Sequence, residues 1–281
     1  MLQKISQMMA IMLLAISLPS QADFPPLAYA EADHAQPGKA TWHDLFSSDP
    51  QASARFYQTV FGWQIAALDS EPYWLFYHDN QAIAGIVMRQ ENNSERVGAM
   101  WVPHFSRADL SEASRLPLAS RWLMPPRNMG QRGVQAIAQD PNGAVFGLLA
   151  SQAGDPLDYQ PQAGHFAWHM LFSPDPKRSG EYYRDLLQIE LSEQAPEWLL
   201  SSEGISRASI SASESNDQGA PALWVSAIYV TEPMATAQTA IEAGATWLLE
   251  PQNDQEILFM IDPVGAIFGL IGPTDREEAT Q

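Results

Sequence analysis

Cysteine is absent from the sequence, and basic residues are scarce. None of the 281 residues is a cysteine, so the chain holds neither disulfides nor thiols and is indifferent to the redox state of its compartment. Lysine and arginine number 15 against 33 aspartates and glutamates, which gives a formal net charge of −18 at pH 7. A surface of that charge repels phosphate backbones and anionic membranes, so we expect neither nucleic acid nor a membrane as a partner of the mature chain.

Long apolar runs are also missing, apart from one at the N-terminus. Residues 8–18 form an apolar run of 11 residues, preceded by Lys4 and followed by Pro-Ser-Gln-Ala at 19–22. Spanning a bilayer takes about 20 apolar residues, so the alternative of a membrane anchor is disfavoured. A basic residue, an apolar run and small residues in this order predict a secretory signal peptide over residues 1–22 and a periplasmic or secreted protein.

Two terminal segments show no periodicity. Residues 23–38 are rich in proline and alanine and predict a poorly ordered leader, to which we assign no function. Removal of the signal peptide gives a mature start at Asp23, whereas a second candidate cut, after Ala30, gives a start at Glu31. Residues 274–281 form an acidic tail.

The strongest pattern is an internal repeat. The segment Asp-Pro-Asn-Gly-Ala-Val-Phe-Gly-Leu-Leu at 140–149 recurs 122 residues later as Asp-Pro-Val-Gly-Ala-Ile-Phe-Gly-Leu-Ile at 262–271. Proline second and glycine fourth indicate a tight turn that leads into an apolar strand. Residues 42–50, which begin Trp-His-Asp-Leu-Phe-Ser, are echoed 126 residues on at 168–176. The prediction is two homologous domains and a linker between them, at residues 39–151, 163–273 and 152–162.

Each domain begins with the same local pattern. An alternating strand precedes Asp49-Pro50, which marks the start of a helix with aspartate as the cap and proline in the first turn. The helix ends near Gly62, and three strand-like runs follow, which makes a βαβββ module. A second module follows in each domain, and its helix is weak at 110–119 but clearer at 234–243.

This order of elements, with its closing Asp-Pro-x-Gly-Ala-x-Phe-Gly-Leu motif, resembles the vicinal oxygen chelate superfamily. Its members include glyoxalase I, bleomycin-resistance proteins and extradiol dioxygenases. The resemblance covers nearly all of the mature chain. It implies an α+β fold of two tandem domains, each built from two βαβββ modules whose mixed sheet curls around a concave pocket. For the metal-using members it also implies a divalent ion in that pocket, bound by His, Gln or Glu side chains.

The metal ligands that the resemblance implies are missing from this sequence. Metal-using relatives carry a glutamate four residues after the turn glycine, where this chain has Gly147 and Gly269. Glycine has no side chain and cannot bind a metal ion. The ligand positions in the opening strands of the four modules are taken by Trp42, Val102, Trp168 and Val225. We therefore expect no metal ion and no other cofactor in either domain.

Strand alternation selects the side chains that face each pocket. Asp44 and His104 each lie two residues beyond an expected ligand position, so both are predicted to face the first pocket together with Trp42. Met170 and Ala227 take their places in the second domain. An acid beside an imidazole can orient the ring for acid–base catalysis. The alternative is a buried pair that only satisfies its own hydrogen bonds.

Histidines and tryptophans complete the predicted pockets. His43 and His169 lie one residue beyond the ligand positions and are predicted to face away from the pockets, as core or edge residues. Flat apolar walls are expected from Trp42, Trp101, Trp168 and Trp224. The two closing-strand glycines are expected to leave room for a ligand ring. The predicted ligand-binding residues are Trp42, Asp44, His104, Gly147, Trp168 and Gly269.

Three functions are compatible with these patterns. The first is a metal-free protein that binds a small organic molecule in an aromatic-lined cleft. The second is a divergent lyase, isomerase or dioxygenase with its site in the first domain. The third is a non-catalytic scaffold that pairs domains or subunits, with a homodimer as its simplest form.

Overall fold

The computed structural model describes residues 24–27, 34–68, 72–89, 98–110, 116, 120–158, 160–213, 221–252 and 255–273. Within these residues the chain forms two mixed sheets of eight strands, one in each domain. This arrangement confirms the predicted α+β fold of two tandem domains. The predicted signal peptide, acidic tail and helix at 110–119 lie outside the described residues, except for Leu110 and Leu116.

The first domain contains one α-helix, one short 3-10 helix and eight strands among its described residues. Its first module is β1 Ala40–Ser47, α1 Pro50–Phe61, β2 Gln64–Ala67, β3 Tyr73–His78 and β4 Gln81–Met88. Its second module is β5 Met100–Ser106, β6 Arg121–Asn128, the 3-10 helix Gly130–Arg132, β7 Gly133–Gln139 and β8 Val145–Ser151. The strands lie in the order β2-β3-β4-β1-β5-β8-β7-β6, so the opening strands of the two modules pair at the centre.

The second domain repeats this order. Its first module is β9 Phe166–Ser173, α2 Pro176–Leu187, β10 Glu190–Gln194, β11 Glu197–Ser202 and β12 Ile205–Ala212. Its second module is β13 Leu223–Tyr229, α3 Pro233–Glu242, β14 Thr246–Trp247, β15 Ile257–Ile261 and β16 Ile267–Ile271. The strand order β10-β11-β12-β9-β13-β16-β15-β14 matches that of the first sheet. No helix among the described residues is long and apolar enough to cross a membrane.

The local signals at the helix ends act as the sequence predicts. The Asp49 carboxylate accepts a hydrogen bond of 2.9 Å from the backbone N–H of Ala52 and caps α1. Gly62 ends that helix in the left-handed conformation, with a φ of 70°. In the repeat, Asp175 caps α2 by accepting from the N–H of Arg178 at 3.2 Å.

The two domains share their cores. The helical face of each sheet packs against the other domain, and one mixed cluster joins Phe56 and Trp101 to Phe268. The hydroxyl of Tyr57 donates to Asp262 Oδ2 at 3.1 Å across this interface. In the symmetric contact, the hydroxyl of Tyr183 donates to Asp140 Oδ2 at 3.0 Å. The aspartate of each closing motif therefore anchors a helix of the other domain.

Two of the four predicted pocket tryptophans lie in these shared cores. Trp101 donates from Nε1 to the hydroxyl of Tyr57 at 2.6 Å, and Trp224 donates to that of Tyr183 at 2.9 Å. Neither ring faces a pocket, so their assignment as pocket walls is wrong. Adjacent residues of a strand face opposite sides of a sheet, and Val102 takes the pocket side next to Trp101.

The remaining face of the first sheet is the first concave face. Its buried apolar side chains include Trp42, Phe46, Tyr73, Leu75, Val102, Ile137 and Leu149. Phe24, from the segment predicted to be a poorly ordered leader, packs among them with 1% of its surface exposed. The second concave face is formed around Met170, Val225, Ala227 and Phe259.

Candidate functional site

Asp44 is the centre of a buried polar cluster on the first concave face. Its Oδ1 atom accepts hydrogen bonds from Trp42 Nε1 at 2.9 Å and from the Tyr73 hydroxyl at 2.5 Å. Its Oδ2 atom accepts from Gln135 Nε2 and from His104 Nε2, both at 2.9 Å. A carboxylate offers about four lone-pair sites, so these four donors saturate it. Strand alternation from β1 and β5 thus brings the predicted residues Trp42, Asp44 and His104 together.

The cluster holds Asp44 in its ionised form. Burial would raise the pKa of Asp44, but the His104 imidazole, the Arg132 guanidinium and the Tyr73 hydroxyl outweigh burial and lower it to about 2. Burial and the Asp44 carboxylate together raise the pKa of Tyr73 far above its ordinary value. At neutral pH the carboxylate is therefore an acceptor without a proton to give, and the phenol is a donor.

Gly147 shapes the site from the neighbouring strand. It lies opposite His104 in the parallel pairing of β5 and β8, and a Cβ atom at position 147 would overlap the imidazole ring. The sequence predicted that the space beside this glycine would hold a ring of a ligand. In the structure that space holds the imidazole of His104 instead. His104 is fully buried, and its Nδ1 atom has no hydrogen-bond partner.

Arg132 adds a positive charge that the sequence analysis did not identify. Arg132 is the last residue of the 3-10 helix, and its side chain is fully buried. Its guanidinium lies 3.8 Å from the centre of the Trp42 ring, and Nη1 donates to the Tyr73 hydroxyl at 3.3 Å. Its Nε and Nη2 atoms have no hydrogen-bond partner. A buried guanidinium with two unpaired nitrogens is unusual, because it cannot release its charge by deprotonation.

Phe24 covers this cluster. Its ring lies edge-on to Tyr73 with centroids 4.9 Å apart, and the Arg132 guanidinium lies 4.9 Å from its centre. Leu27, three residues on, is partly buried against the same concave face. The first pocket is thus filled by a side chain from the N-terminal segment of the same protein.

The second concave face has no comparable cluster among its described residues. Met170 and Ala227 occupy the places of Asp44 and His104, as the repeat predicts. Trp168 donates only a long hydrogen bond of 3.3 Å to the Ser209 hydroxyl. Gly269 lies opposite Ala227, so no imidazole enters the space beside it. Trp168 and Gly269 therefore lie outside the polar cluster around Asp44.

His43 and His169 meet between the domains. Their rings are stacked with centroids 5.1 Å apart, and His43 also stacks on Phe166 at 3.8 Å. Burial lowers the pKa of His169 to about 3 and that of His43 well below its ordinary value. The prediction that both histidines face away from the pockets agrees with this placement. Both are neutral core residues at physiological pH.

A cleft of about 590 Å³ opens between the domains, beside the linker. Trp42 and Trp168 both border it, along with charged side chains at its edge. These charged side chains form ion pairs with one another, since Asp158 accepts hydrogen bonds from Lys39 at 2.9 Å and from Arg207 at 2.7 Å. Three lining residues also carry a buried polar atom without a partner: Thr41 Oγ1, His43 Nε2 and His165 Nδ1.

The residues present do not fit the divalent ion that the fold family implies. Among the described residues, no group of three or more His, Cys, Asp or Glu side chains could hold a metal ion. On the first concave face the side chains of a ligating type are Asp44, His104 and Gln135, but Asp44 already accepts four hydrogen bonds, two of them from His104 and Gln135. Gly147 stands where the resemblance implies a glutamate. We derive no chemical step through a metal ion.

Four residues of the site escaped the sequence analysis: Phe24, Tyr73, Arg132 and Gln135. One signal was available, because Gln135 interrupts the apolar strand β7 and Arg132 comes shortly before it. The neighbouring sequence does not distinguish the other two residues from ordinary core residues. Tyr73 lies in an aromatic strand, and Phe24 lies in a segment without periodicity.

Comparisons with known proteins agree with this architecture. The sequence matches no protein-family model. It is 23% identical over 256 residues to CFP32 of Mycobacterium bovis, which carries the name of a glyoxylase, and the match covers 85% of this chain and 97% of that protein. It is 24% identical over 261 residues to the anthracycline biosynthesis protein DauV of a Streptomyces species, with coverage of 84% and 93%.

Solved structures show the same fold. The Mn(II)-bound glyoxalase from Novosphingobium aromaticivorans superposes with a TM-score of 0.58 at 14% identity, covering 85% of this chain and 83% of that one. An extradiol ring-cleaving dioxygenase from B. fuscum superposes with a TM-score of 0.57 at 15% identity, covering 88% and 74%. The repeated modules, the paired sheets and these relatives together support the resemblance to the vicinal oxygen chelate superfamily, and the chain has the two-domain fold of these solved structures.

Proposed function

We propose that the first domain binds a small organic molecule on its concave face without the help of a metal ion. The observation that carries this proposal is the cluster around Asp44, in which four buried polar atoms have no partner. They are His104 Nδ1, Gln135 Oε1 and the Nε and Nη2 atoms of Arg132. A buried polar atom without a partner costs about 1–3 kcal/mol. Such a cost is expected where a ligand supplies the missing hydrogen bonds.

The contrast between the domains supports the same proposal. Both domains share fold and strand order, yet among the residues that the structure describes only the first concave face combines an aromatic wall with converging polar groups. Ligand sites are commonly apolar pockets with a few polar groups that fix the orientation of the ligand. If the cluster served stability alone, we would expect its hydrogen-bonding atoms to be paired.

The donors present support metal independence. Asp44 is saturated by four donors, and Gly147 contributes no ligand. The relatives named for glyoxylase activity and anthracycline biosynthesis favour a small organic compound as the ligand class.

Titration of metal-free protein tests this function. Protein treated with a chelator would be screened by tryptophan fluorescence against aromatic acids, aldehydes and amides, with Trp42 as the reporter. We expect binding that survives chelation and is weakened at least about tenfold by Asp44→Asn. The matched control is Met170→Leu, at the equivalent position of the second domain. Binding that requires an added metal ion, or that depends on Met170 and not on Asp44, would contradict the proposal.

One observation favours an enzyme as the second candidate function. Asp44 fixes the His104 ring through Nε2 at 2.9 Å, and Nδ1 has no hydrogen-bond partner. A carboxylate that orients an imidazole in this way is a common arrangement for acid–base catalysis. A lyase or isomerase that acts through His104 would lose turnover in His104→Asn while still binding its substrate.

We also propose that the protein is exported, because residues 1–22 carry the order of a secretory signal. Mass spectrometry of protein from its native cell should find a start at Asp23 or Glu31. An intact Met1 on the cytoplasmic protein would contradict export.

A further inference from the structure

We propose that the ligand of the first concave face is an aromatic carboxylate, whose carboxylate pairs with Arg132 and whose ring takes the place of Phe24. This inference rests on the proposed binding function and names its ligand class. Two independent features of the cluster lead to it: the unpaired edge of the guanidinium and the side chain that now covers it.

The geometry of Arg132 specifies the charged group. Nε and Nη2 lie on one edge of the planar guanidinium, and their N–H bonds point in parallel. Parallel donors of this kind match the two oxygens of a carboxylate in a bidentate pair. The third nitrogen, Nη1, is already bonded to Tyr73. Asp44 cannot serve as the partner, because its oxygens accept four other donors.

The surroundings of Arg132 specify the apolar part of the ligand. The guanidinium lies 3.8 Å from the centre of the Trp42 ring and 4.9 Å from the centre of the Phe24 ring. Phe24 also makes an edge-to-face contact with Tyr73. A ligand ring in the position of Phe24 would keep both contacts, each of which contributes modestly to affinity.

Phe24 is held in a way that allows it to leave. Among the described residues, no backbone hydrogen bond joins residues 24–27 to a sheet. Pro25 and Pro26 follow Phe24 directly and have no N–H to donate. The contacts that the structure describes for residues 24–27 are therefore those of side-chain packing, and a ligand at the position of Phe24 competes with that packing.

The second candidate cleavage point bears on this arrangement. A mature start at Asp23 keeps Phe24, whereas a start at Glu31 removes it. A chain that begins at Glu31 therefore serves as a second variant with an uncovered site, and it does not depend on a point substitution.

Calorimetric titration with four small probes tests the inference. The probes are phenylacetate, its neutral isostere phenylacetamide, acetate as the charge without the ring, and phenyl phosphate as another anion. We expect Phe24→Ala and the chain starting at Glu31 to bind phenylacetate at least about tenfold more tightly than the chain starting at Asp23. Phenylacetamide and acetate should bind at least about tenfold more weakly than phenylacetate in the same variants.

Two further substitutions test the role of Arg132. In the Phe24→Ala background, Arg132→Met should abolish the preference for phenylacetate over phenylacetamide. Arg132→Lys, which keeps the charge but loses the bidentate edge, should reduce that preference at least about tenfold. Phe172→Ala, on the second concave face, is the control and should change nothing. Circular dichroism verifies that each variant is folded.

The outcomes separate this inference from the proposed function. Equal binding of phenylacetate and phenylacetamide, tighter binding of phenyl phosphate, or a preference that survives Arg132→Met would overturn the ligand class and leave small-molecule binding intact. Unchanged affinity in both variants that lack Phe24 would overturn its role as the group displaced. Failure of every aromatic acid, aldehyde and amide to bind any folded variant would overturn the proposed function as well.

Discussion

Gly147 and His104 lie opposite each other across β5 and β8, and the imidazole occupies the volume that a side chain at position 147 would need. A second glycine makes room for a polar side chain in the pairing of β4 with β1. Gly85 lies opposite Asp44 across β4 and β1, and a Cβ atom there would overlap the Tyr73 hydroxyl. Two glycines in the sheet thus make room for a polar cluster that the sheet otherwise could not hold.

Gly147→Ala should lower the free energy of unfolding by about 1–3 kcal/mol, because the new methyl group would overlap His104. The loss should be much smaller when His104 is already alanine. A double-mutant cycle by urea denaturation measures this coupling. Equal losses in the two backgrounds would show that the imidazole does not occupy this space.

Tyr57→Phe should destabilise the protein by about 1–3 kcal/mol, since Asp262 Oδ2 would be left buried without its partner. Burial raises the pKa of Asp262, and the Tyr57 hydroxyl opposes that rise. The substitution should therefore raise the pKa further. Tyr183→Phe should have a similar effect through Asp140, and the losses of stability should add because the two contacts are separate. A large departure from additivity would contradict two independent contacts.

Stability should decrease as the pH falls from about 6.5 towards 3. Burial lowers the folded-state pKa of His169 to about 3, so below its ordinary value of 6.5 the unfolded chain takes up a proton that the folded chain does not. The stability gained from this depressed pKa is present above pH 6.5 and is lost on acidification, at up to about 1.4 kcal/mol per pH unit. His43 shifts in the same direction.

His169→Asn keeps a side chain near Ser226 but cannot titrate. Urea denaturation of both proteins at pH 7.5 and pH 5 measures the contribution of His169 together with its effect on the pKa of His43, which His169 helps to lower. The variant should lose less stability than the wild-type protein between these values. An identical loss would contradict the assignment of a neutral His169 in the folded state.

His104 and His169 should separate binding from stability. His104→Ala removes a partner of Asp44 on the first concave face and should weaken phenylacetate binding at least about tenfold in a Phe24→Ala background. His169→Ala should instead lower the melting temperature and leave affinity unchanged, because it lies between the domains. The opposite pattern would place the site elsewhere.

The sequence predicted what depends on neighbours along the chain. Asp49 and Gly62 mark the ends of α1, and strand phase places Asp44 and His104 on one face, because both signals are local. It assigned Trp101 to the wrong surface. β5 is buried on both faces, so its apolar residues do not reveal which face is the pocket.

The rest of the site depends on contacts between distant segments. Tyr73, Arg132 and Gln135 reach Asp44 or its neighbours from β3, the 3-10 helix and β7, and only the pairing of strands brings them together. Phe24 joins them from a segment with no periodic pattern. Such contacts leave no regular spacing in the sequence, and so pattern analysis does not detect them.

A crystal structure of metal-free Phe24→Ala protein with phenylacetate tests the proposed ligand site most directly. We predict that the carboxylate lies within hydrogen-bond distance of Arg132 Nε and Nη2, with its ring beside Tyr73 where Phe24 lay. A metal ion coordinated by Asp44 and His104, or phenylacetate bound on the second concave face with the first one empty, would contradict the account.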